Sequence, residues 1–114
     1  MLSKKYRLIG VENFTKVQNE GRVYQSKNFG LAVVDRKDEG PSRFAFVAST
    51  KVAREAVDRN RIKRVLGEGV RLSLFDIKNG YDMVFLAKPT ITRIPTDQIM
   101  KEVRESLKDS GFFL

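Results

Sequence analysis

The 114-residue sequence predicts an α+β fold, a two-layer sandwich whose elements follow the order αβββαβα or its simplified form αββαβα. Apolar residues recur at helical spacing near both ends of the chain and in its middle. Segments rich in β-branched and aromatic residues, which are typical of strands, separate these helical segments. The sequence contains neither an internal repeat nor a low-complexity segment, so we expect a single domain over 1–114.

The first helix is predicted at about 10–20, where apolar residues recur every three positions and Gly21 is placed to end it. The segment VYQSKNFGLAVVD then predicts a strand that ends near Asp35. A second strand, RFAFVAST, follows the polar loop RKDEGPS. Because this loop is short, we expect the two strands to pair as an antiparallel hairpin.

The longest helix is predicted from about Val52 to Phe75. This stretch lacks proline and is rich in helix-forming residues. Gly67 and Gly69 are expected to fray its end, because glycine weakens helices.

A further strand and a last helix complete the chain. The strand KNGYDMVFLAKP opens with an Asn-Gly turn, ends at Pro89 and is apolar on both faces, which indicates a central, covered strand. The last helix begins after Pro95 and is closed by Gly111. One side of it carries apolar residues at a spacing of four, namely Ile99, Val103 and Leu107.

The composition excludes several kinds of chemistry. The chain has 22 Lys and Arg against 14 Asp and Glu, a formal charge of +8, no His and no Cys. It therefore lacks a thiolate nucleophile, a disulfide framework and the commonest general base. No apolar run approaches the roughly 20 residues that cross a bilayer, so we expect a cytoplasmic protein without a membrane partner. The basic charge predicts a polyanionic partner, with nucleic acid favoured.

Half of that net charge lies in the segment 51–71, which has seven Lys or Arg against three Asp or Glu. On a helix, one side of this segment is apolar, comprising Ile62, Val65, Leu66 and Val70. The other side is polar and basic, comprising Asn60, Arg61, Lys63, Arg64 and Arg71.

This basic side of the helix has two interpretations. A charged helix side is commonly just a solvated surface, and Glu55 and Arg59 have the spacing of an i,i+4 ion pair. However, the excess charge of this segment has one sign, and we expect Arg61, Lys63 and Arg64 to form no ion pair. Such a one-signed cluster repels itself unless phosphate groups neutralise it, so we favour nucleic-acid binding.

The same helix carries a family resemblance. The segment AVDRNRIKRVLGE, residues 56–68, resembles the RNR motif of the protein subunit of bacterial ribonuclease P, in which Arg-Asn-Arg precedes an apolar residue, Lys and Arg. ENFTKVQNEGR resembles the first helix of that family, and SRFAFVASTK leads into the motif through Ser49 and Lys51. FLAKP lies where the family has its last strand, so the resemblance covers nearly the whole chain.

This resemblance implies both a fold and a function. The implied fold is a ribosomal-protein-like αβββαβα sandwich with a left-handed βαβ crossover. The implied function is that of a non-catalytic subunit, inactive alone, beside an RNA that hydrolyses precursor tRNA with Mg²⁺. The protein is expected to bind the RNA subunit through the RNR helix and the 5′ leader in a central cleft, as a monomer in a 1:1 ribonucleoprotein. No metal is expected on the protein side chains alone.

The resemblance also assigns roles to individual residues. The motif residues expected to contact RNA are Arg59, Asn60, Arg61, Lys63 and Arg64, of which Arg59 projects toward the apolar side and either supports the fold or lines the cleft. The candidates for the leader cleft are Phe14, Lys51 and Ser49; Phe14 either stacks on a leader base or packs in the core, and Lys51 is alternatively an exposed lysine without a role. Additional phosphate contacts are expected from Arg54 and Arg71.

The sequence departs from the family pattern at two places. Gln18 stands where the family often has a second aromatic residue, so leader stacking is expected to be weaker or differently placed. Gly67 precedes Glu68 where an Arg-Glu pair is common, which removes one cation and lowers helix propensity by about 1 kcal/mol. The tail Phe112–Leu114 either tucks into the core or forms an exposed patch.

Two other functions remain as alternatives. A general RNA-binding or ribosome-associated protein would share the basic helix but would have no role in tRNA processing. A metal-dependent nuclease would need clustered carboxylates. The acids available for that role show no recognisable spacing, and they are Asp35, Asp38, Glu39, Asp58 and Asp82.

Overall fold

Three α-helices and four strands alternate in the predicted order αβββαβα. A computed structural model describes residues 2–114 and gives their bounds as α1 (Val11–Glu20), β1 (Arg22–Gln25), β2 (Phe29–Asp35), β3 (Arg43–Val47), α2 (Ala56–Ser73), β4 (Tyr81–Ala87) and α3 (Thr96–Asp109). The α+β class is therefore confirmed. Within this described part of the chain, no helix is both long and apolar enough to cross a membrane.

The strands form one mixed sheet in the order β1-β2-β4-β3. β2 pairs with β1 and β4 in antiparallel fashion, whereas β3 and β4 are parallel. The predicted hairpin between β2 and β3 is therefore wrong, because β4 lies between them. β4 is apolar on both faces and lies inside the sheet between β2 and β3, as predicted. The β3-α2-β4 connection is a βαβ crossover between parallel neighbours, and its hand stays a prediction.

The segment predicted as one strand ending near Asp35 is two strands, β1 and β2, separated by a tight turn. Ser26 and Asn28 of this turn bind the carboxylate of Glu102 on α3. The Asn28 backbone N–H donates to Oε2 at 2.9 Å, and its side-chain amide donates to Oε1 at 2.6 Å. The distant carboxylate thus fixes the turn that folds β1 back onto β2.

Gly67 and Gly69 do not fray α2, which continues to Ser73. Both glycines are buried, and each contacts a neighbouring element. A Cβ atom on Gly69 would lie 3.0 Å from the Cβ of Val103 on α3, which is closer than a normal contact. The glycine therefore permits the close approach of α2 and α3, and this packing outweighs its low helix propensity.

The two faces of the sheet are covered unequally. One face packs under α2 and α3 and forms the main core, which includes Phe29, Leu31, Phe44, Met83 and Phe85. The other face is covered by α1, whose Val17 packs on Ala32, Val34 and Val84. On this second face Leu86 remains 38% exposed, beside Gly30 and Val47 in the register of the sheet. α1 therefore leaves part of the second face open.

Both chain ends are attached to the sheet layer. The Leu8 N–H donates to the carbonyl of Phe44 at 2.8 Å, so the amino-terminal segment runs along the outer edge of β3. At the other end, the ring of Phe112 is buried in edge-to-face contact with Tyr24 and Tyr81. Leu114 is 87% exposed. Within the tail, Phe112 therefore lies in the core, whereas Leu114 lies at the surface.

A buried carboxylate ties the loop after β2 to the sheet. Asp82 on β4 is 4% exposed and accepts two hydrogen bonds from Arg43, at 2.8 and 2.7 Å, and one from Arg36, at 2.7 Å. Arg36 also holds Asp38 and the carbonyl of Pro41. Burial raises the pKa of Asp82, but the hydrogen bonds from Arg43 and Arg36 outweigh it and lower that pKa below its ordinary value.

We expect Asp82→Asn to lower the free energy of unfolding at pH 7 by about 3 kcal/mol, because it leaves two arginines without a buried carboxylate. Because the pKa of Asp82 is lowered in the folded state, its carboxylate stabilises the fold fully above the unfolded-state pKa, which is near 4. This stabilisation is lost as the pH falls through the folded-state pKa. The difference between wild type and variant should therefore shrink toward pH 3 in urea titrations. An equal difference at pH 7 and pH 3 would contradict this account; Asp109→Asn, at an exposed position, is the control.

Candidate nucleic-acid interface

α2 separates apolar and basic side chains onto opposite sides, as the sequence predicts. Its apolar side is buried and comprises Ile62, Val65, Leu66 and Val70. On the other side Asn60 and Arg64 are exposed, and Arg61 and Lys63 are half-buried. The core therefore fixes the orientation of the helix and directs the cations outward.

Arg59 acts as a clamp on the turn before α2. Its Nη1 donates to the carbonyls of Ala53 and Arg54, at 3.0 and 2.6 Å. The predicted Glu55–Arg59 ion pair is wrong, since these two side chains form no ion pair within the described residues 2–114. Glu55 is the N-cap residue of α2, and the guanidinium of Arg59 donates to backbone carbonyls instead of to the Glu55 carboxylate. Arg59 therefore contributes to the fold at this position.

The three following cations have no acidic partner. Among residues 2–114, no carboxylate forms an ion pair with Arg61, Lys63 or Arg64, and Arg61 makes only a long contact of 3.5 Å to the hydroxyl of Thr96. Three unneutralised charges within about one helical turn repel one another. The arrangement is therefore suited to an external anion with several charges, such as a phosphate chain.

Arg71 differs from these cations because it has an acidic partner. Its guanidinium lies 2.9 Å from Glu68, one turn earlier on the helix. The hydrogen bond from Arg71 helps to lower the pKa of Glu68 to about 2, so the carboxylate is charged at neutral pH. The pair places a compensated charge at the carboxyl end of α2, and the net positive charge is concentrated at 61–64.

The turn between β3 and α2 carries three further predicted residues. The carbonyl of Ser49 accepts hydrogen bonds from the N–H groups of Val52 and Ala53, at 3.0 and 3.3 Å. Lys51 and Arg54 are exposed on this turn. Because Arg59 clamps the same turn, these side chains are held at the amino end of the basic helix.

Phe14 lies on the opposite face of the sheet. Its ring is half-buried and packs on the cluster formed by Val17, Ala32, Val34 and Val84. Gln18, one turn later, is exposed. Phe14 therefore contributes to packing and keeps part of its side chain at the surface, next to the sheet region that α1 leaves open.

A cavity of about 510 Å³ opens beside the basic helix, and sequence reasoning did not find it. It lies between α2, β3 and the amino-terminal segment. Its lining includes Leu8 and Ile9 from that segment, Phe46 from β3, and Lys63 and Gly67 from α2. The only signal for it in the sequence is Gly67, the departure from the family pattern, which leaves space under the helix.

The candidate nuclease acids do not gather into a site. Within residues 2–114, no three side chains of the metal-binding types lie close enough to hold an ion. Asp82 and Asp38 are engaged by arginines, and Asp35 accepts a hydrogen bond from the N–H of Lys37 at 2.8 Å. These carboxylates therefore have structural roles and do not supply the donor set that Mg²⁺ requires.

Comparisons with known proteins agree with the fold. The model of the family Ribonuclease P matches residues 2–111. A ribonuclease P protein component from Oleidesulfovibrio alaskensis is 35% identical over 94% of this chain and 93% of its own length. The RNase P protein structure from Staphylococcus aureus aligns with a TM-score of 0.87 at 24% identity, covering 97% of this chain and all of that one. A structure of a Staphylococcus aureus RNase P protein mutant with defective mRNA degradation activity aligns with the same TM-score and identity, over 96% of this chain and 92% of that one.

The two kinds of arginine on α2 should respond differently to mutation. Arg59→Ala is expected to lower the free energy of unfolding by about 1 to 2 kcal/mol, because it removes hydrogen bonds from a charged donor. Arg64→Ala should change it by less than about 0.5 kcal/mol, because Arg64 is exposed and forms no ion pair with any of residues 2–114. Urea unfolding followed by circular dichroism measures both. Equal losses in the two variants would contradict the clamp role of Arg59.

Proposed function

The chain belongs to the ribonuclease P protein family, and on that premise we propose that it is the protein subunit that assists an RNA-based endonuclease in maturing the 5′ end of tRNA. It binds the catalytic RNA subunit through the basic side of α2. It also binds the 5′ leader of precursor tRNA, as a monomer in a 1:1 ribonucleoprotein in the cytoplasm. No step of the hydrolysis is assigned to its side chains.

The unneutralised cations Arg61, Lys63 and Arg64 carry this proposal. Their charges face away from the core and have no acidic partner in the part of the chain that the structure describes. Asn60 adds an exposed amide, which can donate to and accept from a sugar or a base edge. A rigid helix that presents such groups side by side can contact several phosphates of an RNA backbone.

The division of labour follows from the chemistry of the chain. The chain has neither His nor Cys, and within residues 2–114 its acids do not gather into a set that could hold Mg²⁺. We infer that the RNA subunit holds the Mg²⁺ ions, which supply the activated water for hydrolysis. The protein neutralises RNA phosphates, lowering the Mg²⁺ concentration at which the complex is active, and positions the substrate.

The leader contacts are assigned to the predicted cleft residues. Phe14 keeps part of its ring at the surface, beside the sheet region that α1 leaves open. Lys51 and Arg54 add exposed cations on the turn before α2, where Ser49 lies. A single-stranded leader can use such an aromatic ring for stacking and such cations for its phosphates.

A reconstitution experiment tests this function. Cleavage of a precursor tRNA is measured at low Mg²⁺ with a bacterial ribonuclease P RNA, in the presence and absence of this protein. We expect the protein to stimulate cleavage at the mature 5′ end, because it neutralises phosphates and positions the leader.

The controls distinguish the alternatives. The protein alone should not cleave precursor tRNA, and cleavage by it would support a protein-based nuclease. This control is needed because a Staphylococcus aureus RNase P protein mutant is described as defective in mRNA degradation activity. Failure to stimulate several classes of RNA subunit, with RNA binding retained, would favour a general RNA-binding or ribosome-associated protein.

The basic side of α2 is tested by salt dependence. Exchanging both Arg61 and Arg64 for Ala should weaken binding to the ribonuclease P RNA. It should also reduce the slope of log affinity against log salt by about 1.5 to 2, because two phosphate contacts are lost. The control removes two exposed lysines from α3, Lys101 and Lys108, and should leave the slope nearly unchanged. An unchanged slope in the arginine variant would exclude this side of α2 as the interface.

A further inference from the structure

We propose that the cavity beside α2 is a binding site for one unstacked nucleotide of RNA, with the base inside the cavity and its phosphate on the cationic rim. This inference rests on the RNA-binding function proposed above and adds a specific subsite to it. The cavity is separate from the sheet region beside Phe14, since it lies between α2, β3 and the amino-terminal segment.

The interior of the cavity is apolar and partly aromatic. Its apolar lining comprises Leu2, Leu8 and Ile9 from the amino-terminal segment, Phe44 and Phe46 from β3, and Gly67 from α2. Phe46 is half-buried, and one side of its ring stacks on Phe85 at a centroid distance of 5.5 Å and an interplanar angle of 29°. A rigidly held ring of this kind is a suitable stacking partner for a planar base.

The rim of the cavity has the opposite character. Lys63, Arg64 and Asn60 of α2 line it, and so does Arg7 of the amino-terminal segment, whose Nε donates to the carbonyl of Leu2 at 2.9 Å. No carboxylate lines the cavity within residues 2–114. The cations attract a phosphate, and the Asn60 amide can pair with a base edge or a ribose hydroxyl. An apolar interior under a basic rim therefore matches a nucleotide better than it matches an apolar peptide.

The dimensions select an unstacked nucleotide. The volume of about 510 Å³ lies within the range of about 300–1,000 Å³ that is common for small-ligand pockets. It holds a single base with its sugar but cannot admit a helix. A base in a duplex is not available to such a site, whereas loops, bulges and ends of RNA present bases that can enter.

Gly67 gives the experiment its main variant. A Cβ atom at this position would lie 3.6 Å from the ring of Phe46, which is ordinary contact, so Gly67→Ala leaves most of the cavity open. Gly67→Leu extends a larger side chain toward the same ring and fills the space without changing any charge. The two variants therefore form a matched pair.

The ligands are two pentanucleotides of equal charge. One is abasic at every position, and the other carries a single adenine at its centre. Wild-type protein and Gly67→Ala should bind the adenine oligonucleotide about tenfold more tightly, since base stacking on an aromatic ring contributes in this range. Gly67→Leu should bind both with the affinity that wild type shows for the abasic one. Lys63→Ala should weaken binding of both by a similar factor.

Each outcome has a separate meaning. If Gly67→Leu is folded and keeps the preference for adenine, or if wild type shows no preference, the nucleotide site is disproved while RNA binding stands. If neither oligonucleotide nor the ribonuclease P RNA binds, the proposed function itself fails. If Gly67→Leu does not fold, the site is tested by amide chemical shifts of the wild-type protein. The adenine oligonucleotide should shift the amide resonances of Leu8, Ile9 and Phe46, and the abasic oligonucleotide should not; equal shifts with both would disprove the site.

Discussion

The parallel pairing of β3 and β4 is the constraint on which the rest of the structure depends. Parallel neighbours cannot be joined by a tight turn, so the chain must cross the sheet between them, and α2 makes this crossing. The crossing uses the apolar side of α2 for the core and for contact with α3. The remaining side must face outward, and this side carries the unpaired cations. The topology thus fixes the position of the basic surface.

Local contacts then make this arrangement rigid. Gly69 lets α3 approach α2 closely, and Arg59 attaches the preceding turn to the first part of the helix. Neither residue needs to touch RNA for the proposed interface to depend on it. A helix held in this way presents its charges without losing much conformational freedom when it binds, which favours affinity. Gly69 and Arg59 therefore support the proposed interface, although their own contacts lie within the protein.

Much of this could be predicted from the sequence, and the failures have physical causes. The three helices, the central position of β4 and the outward charges of α2 followed from residue periodicity, which is a local property. The turn between β1 and β2 is held by Glu102, which is distant in the sequence, and strand-forming residues on both sides of the turn hid the break. The polar loop between β2 and β3 indicates a turn, but it does not show which strand pairs with β2. The predicted hairpin was therefore wrong. The cavity was missed because Leu8 and Ile9, outside any regular element, reach it only in the folded chain.

The amino-terminal segment has a consequence for folding. β3 is an edge strand, and the backbone bond from Leu8 to Phe44 partly covers its outer edge. An uncovered edge can recruit a strand from another molecule and start aggregation. During synthesis the amino-terminal segment is made before β3, so it can dock on the edge of β3 only after that strand has formed. A chain truncated or fused near this end would expose the edge, and loss of solubility during refolding would precede any loss of the core.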